Sequence, residues 1–328
     1  MPSSVQCQLC PKGCEIAPGE SGECRVRVNI DGSLRCVSYG RPCAINIDPI
    51  EKKPFFHFLP GSKALSLATV GCNLHCSNCQ NWEISQQDPG VAEAYEAPPE
   101  KLIDLAKRQS CKSVCFTYTE PVVFIEYAMD TAKLAKASGG EIRATAVTAA
   151  YVNPKPFKEL CSCLDAVKID FKAYSDKFYR EVCGGSLKPV LKAMETARET
   201  KAHLEIVNLL IPSLNDSEKD VSALANWVKS NLGAEIPLHF IPFHPDYRMR
   251  ELPGTPAATM KMAREAGLAA DLHFVYVGGN FIEGGSDTFC PSCHKTLVKR
   301  SGFAVIANEI GSAGKCPKCG AAIYGVWS

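Results

Sequence analysis

The chain of 328 residues, 46% hydrophobic and 22% charged, has the length of one large domain with small additions, or of two domains, and the composition of an ordinary globular protein. Its 36 Lys and Arg against 35 Asp and Glu leave almost no net charge, which argues against nucleic acid or an anionic membrane surface as the target. No apolar run approaches the ~20 residues that span a bilayer, and Met1 to Cys7 lack the basic start and apolar centre of a secretory signal, so a cytoplasmic protein is expected.

The first 60 residues are rich in Cys, Gly and Pro and lack a strand–helix rhythm, which predicts a loop-rich lobe over 1–60. In a reducing compartment the 18 cysteines read as metal or redox ligands and small buried side chains rather than disulfides. Cys7, Cys10, Cys14 and Cys24 form the first group. They suit a metal site, either zinc or a second cluster, and Cys36 and Cys43 lie near enough in sequence to replace one ligand. From residue 64 onward, short apolar runs alternate with longer amphipathic stretches. The runs at 64–70, 113–117, 142–148, 164–170, 204–211, 236–243 and 272–277 read as strands. The stretches at 98–109, 121–138, 154–160, 189–201, 216–231 and 256–267 read as helices, several opening on Pro or on a Ser or Asp cap. Apolar strands without clean alternation, separated by helices, predict an α/β fold whose parallel sheet is covered on both faces. Polar residues at successive strand ends favour a partial or complete (β/α) TIM-type barrel over 61–285. Gly278, Gly279 and Asn280, then Gly284 to Asp287, break the pattern, and 286–328 forms a separate short module.

Three cysteines follow the first of these strands, in Gly71-Cys72-Asn-Leu-His-Cys76-Ser-Asn-Cys79. Four-iron clusters are held by thiolates, normally four of them. Three within one short loop, followed by Gln80 and Asn81, would leave one iron open to an outside ligand. The plainer alternative is a fragment of a zinc site. Further strand ends carry Thr119 and Glu120 before Pro121, Asp170 and Lys172 on one face of an extended chain, and His244. Taken singly, these read as a helix start, a strand-end ion pair and a structural histidine. In the last module, Cys290-Pro-Ser-Cys293 precedes Cys316-Pro-Lys-Cys319. Two tight thiolate knuckles suit structural zinc, or a single rubredoxin-like iron, and in so short a module the metal would supply folding stability.

The cysteine spacing at 72, 76 and 79 resembles the signature of the radical S-adenosylmethionine (SAM) enzymes, and the strand-end residues resemble the pyruvate formate-lyase activating type. The resemblance implies a [4Fe–4S] cluster on Cys72, Cys76 and Cys79 whose open iron chelates SAM and donates the electron that cleaves it to a 5′-deoxyadenosyl radical. It implies that Glu120 and the backbone at Thr119 hold the SAM ammonium, with Tyr118 and Thr119 standing where those enzymes have two glycines. It further implies that Lys172, beside Asp170, takes the SAM carboxylate, that His244 lies near SAM, and that the backbone at Asn78 touches adenine.

The segments 7–19, 53–61 and 205–216, with the closing cysteine pairs, resemble the radical SAM member of the AmmeMemoRadiSam system over nearly the full length. That implies Memo-like and Ammecr-like proteins as partners, an external electron donor such as flavodoxin or ferredoxin, and hydrogen abstraction from a substrate or partner protein. A glycyl-radical enzyme activase is the alternative within the class. A zinc-stabilised nucleic-acid-binding protein is the rival outside it: Lys295, Lys299 and Arg300 gather near one ribbon, but no basic stripe is interleaved with aromatics.

Overall fold

Four short strands open the chain in the computed structural model, which describes residues 3–279 and 281–328. Met1, Pro2 and Asn280, the last within the break read at 278–287, lie outside the described residues. Strand β1 (Val5–Gln6) pairs antiparallel with β2 (Glu15–Ile16), and β3 (Arg27–Ile30) with β4 (Ser33–Cys36).

The main sheet holds eight strands in chain order: β5 (Ala44–Pro49), β6 (Lys63–Ala68), β7 (Ser113–Phe116), β8 (Arg143–Thr148), β9 (Ala166–Asp170), β10 (His203–Leu210), β11 (Leu238–Pro242) and β12 (Val275–Val277). The pairs β6–β7, β7–β8, β10–β11 and β11–β12 are parallel. All residues of β7 and nearly all of β10 are buried, as both faces of a helix-covered sheet require. That explains the continuous apolar runs in the sequence. Strands β5 and β12 are the edges of this order, so among the described residues the sheet is large, mostly parallel and unclosed, consistent with a partial barrel. Strand β5 is not among the strands the sequence pattern predicts. Its half-exposed Ala-Ile-Asn-Ile-Asp-Pro run, ending on a residue that cannot donate to a ladder, suits an edge position.

The helices are α1 (Trp82–Ser85), α2 (Pro99–Arg108), α3 (Ile125–Ala137), α4 (Pro154–Cys163), α5 (Asp176–Phe178), α6 (Leu187–Arg198), α7 (Glu218–Leu232) and α8 (Ala257–Ala269). Their ends follow from local chemistry. Pro99 opens α2, whose Leu102, Ile103 and Ala106 are buried on one face. Ser217 caps α7 by accepting the Asp220 N–H (3.2 Å), and Gly233 stops it with φ 114°, a conformation that side chains resist. No helix among the described residues is long and apolar enough to cross a membrane.

The chain divides into two compact units: Met1–Asp48, Lys63–Val167 and Arg180–Ala202 form the first, and Pro49–Ser62, Lys168–Tyr179 and His203–Ser328 the second. The second contains an antiparallel sheet of β13 (Thr288–Phe289), β14 (Thr296–Ser301) and β15 (Ala304–Asn308). Its core gathers Phe56, Phe274, Tyr276, Leu297, Val298 and Ile323. A buried polar network ties the 49–62 segment to this core. The Glu205 carboxylate, fully buried, accepts from the backbone N–H of Phe56 (3.1 Å) and His57 (2.8 Å) and contacts Nε2 of His203 (3.0 Å) and His239 (2.6 Å). Burial alone would raise its pKa, but the two histidines outweigh that and hold it well below the carboxylate range. Arg300 is buried too, donating to Phe56 O (2.7 Å), Ser286 O (2.9 Å) and Thr288 Oγ1 (2.9 Å). It is therefore a core residue, not part of an exposed basic surface.

Candidate functional site

The loop after β6 is fixed by backbone bonds that leave its thiols at the edge of solvent. Gly71 takes φ 95°, and a Cβ there would meet the Cys24 carbonyl oxygen at 2.6 Å, so this position accepts only glycine. Beyond it the His75 N–H donates to Cys183 O (2.9 Å), Ser77 N–H to Val182 O (2.9 Å) and Asn73 Nδ2 to Tyr151 O (2.6 Å). Cys72, Cys76 and Cys79 are half-buried, and Asn78 is buried between the last two. Leu74 N–H donates to Cys72 Sγ (3.4 Å), and Ser85 Oγ lies 3.4 Å from Cys79 Sγ. Such contacts to ligand sulfur tune iron–sulfur clusters. Burial, then the Glu120 carboxylate and the Cys76 and Cys79 thiols, push the Cys72 thiol well above its usual range. Bare, the site holds Cys72 as a neutral thiol; positive iron would draw its proton off.

The three sulfurs are not gathered as tightly as the ligands of a single ion. Around a single zinc with Zn–S near 2.3 Å, thiolates sit about 3.8 Å apart. Among the described residues the one set of three or more ligand atoms all within 4.8 Å of one another is Cys290, Cys293, Cys316 and Cys319. The loop thiols do not form such a set.

Glu120 follows β7 and is 1% exposed. Its Oε1 accepts from Val122 N–H (3.1 Å) and Thr148 O–H (2.5 Å), and its Oε2 from Ala149 N–H (2.8 Å). It thus clips the end of β7 to the end of β8, a task that the sequence did not suggest. Thr119 Oγ1 donates to Thr69 O (2.7 Å). Tyr118 adopts φ 64°, the left-handed region that glycine enters freely and other residues at about 1–2 kcal/mol. Its hydroxyl donates to Asp48 Oδ2 (2.5 Å) and its carbonyl accepts from Asn81 Nδ2 (2.8 Å), bonds that hold it there.

In the second unit, Asp170 ends β9 between two lysines: Oδ1 lies 2.6 Å from Lys168 Nζ and Oδ2 3.0 Å from Lys172 Nζ. Burial would raise the Asp170 pKa; the two ammonium groups outweigh it and hold the carboxyl ionised far below its ordinary range. One carboxylate shared by two ammonium groups leaves the trio with a net positive charge. Lys172 is further fixed through its backbone, with its carbonyl accepting from Asn208 Nδ2 (3.0 Å) and Asn215 Nδ2 (2.7 Å). The pattern Val-Lys-Ile-Asp-Phe-Lys, alternating by two, was the available signal for Lys168. His244 follows β11 and is exposed.

The C-terminal knuckles are preformed for one ion. Cys290 and Cys319 sulfurs lie 3.5 Å apart, and Cys293 and Cys316 3.7 Å, close to the edges of a zinc tetrahedron. The two knuckles repeat one backbone design: His294 N–H donates to Cys290 O (3.0 Å) and Gly320 N–H to Cys316 O (2.9 Å). His294 and Gly320, each next after a second cysteine, have φ 56° and 75°. Burial acts against ionising Cys316, but backbone N–H groups of Cys319 and Lys318 outweigh it and draw that thiol down. Cys7, Cys10, Cys14 and Cys24 line one small cavity in the first unit.

The family model described as Radical SAM superfamily matches residues 66–226. The chain is 40% identical over 319 residues to the uncharacterized protein MJ0808 of Methanocaldococcus jannaschii, covering 97% of this chain and 94% of that protein. It is 24% identical over 195 residues to a pyruvate formate-lyase-activating enzyme of Clostridium pasteurianum, covering 56% of this chain and 80% of the relative. Among solved structures, a radical SAM methyltransferase from Sphaerobacter thermophilus aligns with TM-score 0.50 at 15% identity, over 67% of each chain. Streptococcus suis SuiB bound to S-adenosylmethionine aligns with TM-score 0.50 at 16% identity, over 70% of this chain and 53% of that one. At such identities the likeness concerns the fold alone.

Proposed function

Because residues 66–226 match the radical SAM superfamily model, we propose that the chain is a radical SAM enzyme of the activating-enzyme type, with Cys72, Cys76 and Cys79 as cluster ligands. The observation that carries this is the match of residues 66–226 to the radical SAM superfamily model, with three half-buried thiols on a pinned loop inside it. A [4Fe–4S] cluster held there supplies, with SAM, a one-electron reductive cleavage that yields methionine and a 5′-deoxyadenosyl radical for hydrogen abstraction.

The chain's own residues bind and orient. Glu120, presented at the end of β7, accepts from the SAM ammonium, and Thr119 lends its backbone beside it. Lys172 pairs with the SAM carboxylate while Asp170 holds its ammonium in place. The Asn78 backbone meets adenine, and His244 lies near SAM. In this proposal residues 1–60 form a metal-bearing lobe, 61–285 the SAM-binding barrel and 286–328 a ribbon with zinc on Cys290, Cys293, Cys316 and Cys319. An external low-potential donor such as flavodoxin or ferredoxin supplies electrons. The hydrogen donor is a substrate or partner protein, with Memo-like and Ammecr-like proteins as the partners the sequence resemblance suggests. A glycyl-radical protein is the alternative target, favoured by the likeness to the Clostridium activating enzyme. Electron paramagnetic resonance tests the reading. The reduced cluster of the reconstituted protein should change its signal on adding SAM, and Cys72→Ala/Cys76→Ala/Cys79→Ala should lack that SAM-sensitive signal. An unchanged spectrum in the wild type would defeat it.

A further inference from the structure

The four cysteines of the N-terminal lobe lie apart in sequence, yet the fold brings them to one cavity. Cys7 and Cys24 are buried, and Cys10 and Cys14 half-buried. The chain is shaped around them: Cys7 N–H donates to Cys14 O (2.8 Å), Gly13 N–H to Cys10 O (3.1 Å), and Arg25 N–H to Gly22 O (2.8 Å). Gly13 and Arg25, flanking Cys14 and Cys24, take φ 55° and 67°.

Two buried polar atoms on the same wall are unpartnered. Arg27 is 6% exposed and spends both terminal nitrogens on Glu126, at 2.6 Å each, but its Nε–H has no partner. Asn73 is 1% exposed, and its Oδ1 has none either. Orphaned polar atoms are rare in native interiors and mark a space shaped for a further group. An unpartnered N–H on a residue that lines a cavity of four thiols is the kind of donor that cluster sulfur accepts.

The spacing argues against a preformed single-ion site. One zinc would draw the sulfurs to about 3.8 Å, as the C-terminal four are drawn. No three of the N-terminal four come within 4.8 Å of one another. We propose that Cys7, Cys10, Cys14 and Cys24 coordinate a second iron–sulfur cluster, of the four-iron, four-thiolate class, with Arg27 Nε–H as a donor to its sulfur. Ligated at all four corners, such a centre would have no open iron for SAM and would hold an electron.

This centre would adjoin the loop at 72–79. The Asn73 side chain hydrogen-bonds Cys10, and Gly71 lies directly against the Cys24 carbonyl. Both neighbours flank Cys72, so the lobe is built onto the first cluster's binding loop.

Iron, inorganic sulfide and zinc counts on anaerobically reconstituted full-length protein test this without any turnover. The variant Cys72→Ala/Cys76→Ala/Cys79→Ala leaves the lobe's own ligands intact and should retain about four irons and four sulfides per chain, against about eight of each in the wild type. Its reduced signal should not respond to SAM. Adding Cys10→Ser and Cys24→Ser should remove the remaining sulfide. Should the multiple variants fail to fold, Mössbauer spectra of the wild type decide the matter by iron count. About four irons in the wild type, or a triple variant with no sulfide and a second zinc, would overturn the proposal. Loss of the SAM-sensitive signal alone would instead count against the assignment at Cys72, Cys76 and Cys79.

Discussion

Changing Lys172 to alanine removes the ammonium assigned to the SAM carboxylate. A charge-assisted hydrogen bond in a partly desolvated cleft contributes about 1.5–3 kcal/mol, which corresponds to roughly ten- to a hundredfold in affinity. The structure argues for the lower part of that range. Lys172 Nζ already lies 3.0 Å from Asp170, so SAM would share an ammonium that the free protein partly satisfies. Asp170 is in turn divided between Lys172 and Lys168, the latter at 2.6 Å, so Lys168 can keep it ionised when Lys172 is gone. We therefore expect Lys172→Ala to weaken SAM binding about tenfold with unchanged iron and sulfide content. Asp170→Asn should weaken it less, because the extra positive charge it leaves offsets the lost orientation of Lys172. Anaerobic calorimetric titration of reconstituted protein with SAM reads both. An unchanged dissociation constant in Lys172→Ala would mean that the carboxylate is held elsewhere.

Glu120→Gln should cost about 1–3 kcal/mol of stability, since an amide nitrogen would then face an N–H or O–H donor that the carboxylate now accepts; an unaltered denaturation midpoint would refute the clip between β7 and β8. Glu205→Ala should cost about 3–5 kcal/mol, because two buried histidines and two backbone N–H groups lose their acceptor; a loss under about 1 kcal/mol would show the network to be slack. Burial depresses His57 from 6.5 to about 3, so the unfolded chain takes up a proton first as pH falls. Stability from this group is complete above about pH 6.5 and lost progressively toward pH 3; denaturation midpoints across that window should fall less steeply in His57→Gln, and an equal slope would assign the effect to other groups. Stripping metal from the C-terminal knuckles should release one zinc per chain and lower the melting temperature while the iron content stays constant, whereas release of iron from Cys290, Cys293, Cys316 and Cys319 would replace zinc in that site.

Strands buried on both faces were the easiest part of the fold to read, because β6, β7, β10 and β12 are short runs dominated by buried apolar residues. Strand β5 was hidden because an edge strand needs no such run. Cysteine spacing marked all three thiol groups, but spacing alone cannot say whether sulfurs will sit at single-ion or cluster distances. Only the folded chain separates the C-terminal four from the others. The Glu205 network was illegible for another reason. Its partners at Phe56, His57 and His239 come from separate elements, and nothing local in Leu204-Glu205-Ile206 distinguishes a buried carboxylate from a strand-edge one. Tyr118 was visible as a departure from the activating-enzyme pattern; that it keeps a glycine-like backbone, anchored through Asp48, was not.

The central claim is that this chain cleaves SAM reductively through Cys72, Cys76 and Cys79. Incubating the reconstituted protein with SAM and dithionite under strict anaerobiosis, then quantifying nucleosides and amino acids, tests it most directly. The account predicts 5′-deoxyadenosine and methionine in equal amounts from the wild type and neither from Cys72→Ala/Cys76→Ala/Cys79→Ala. Formation of 5′-deoxyadenosine by that triple variant, or its absence from a wild type that carries the SAM-sensitive cluster, would contradict it.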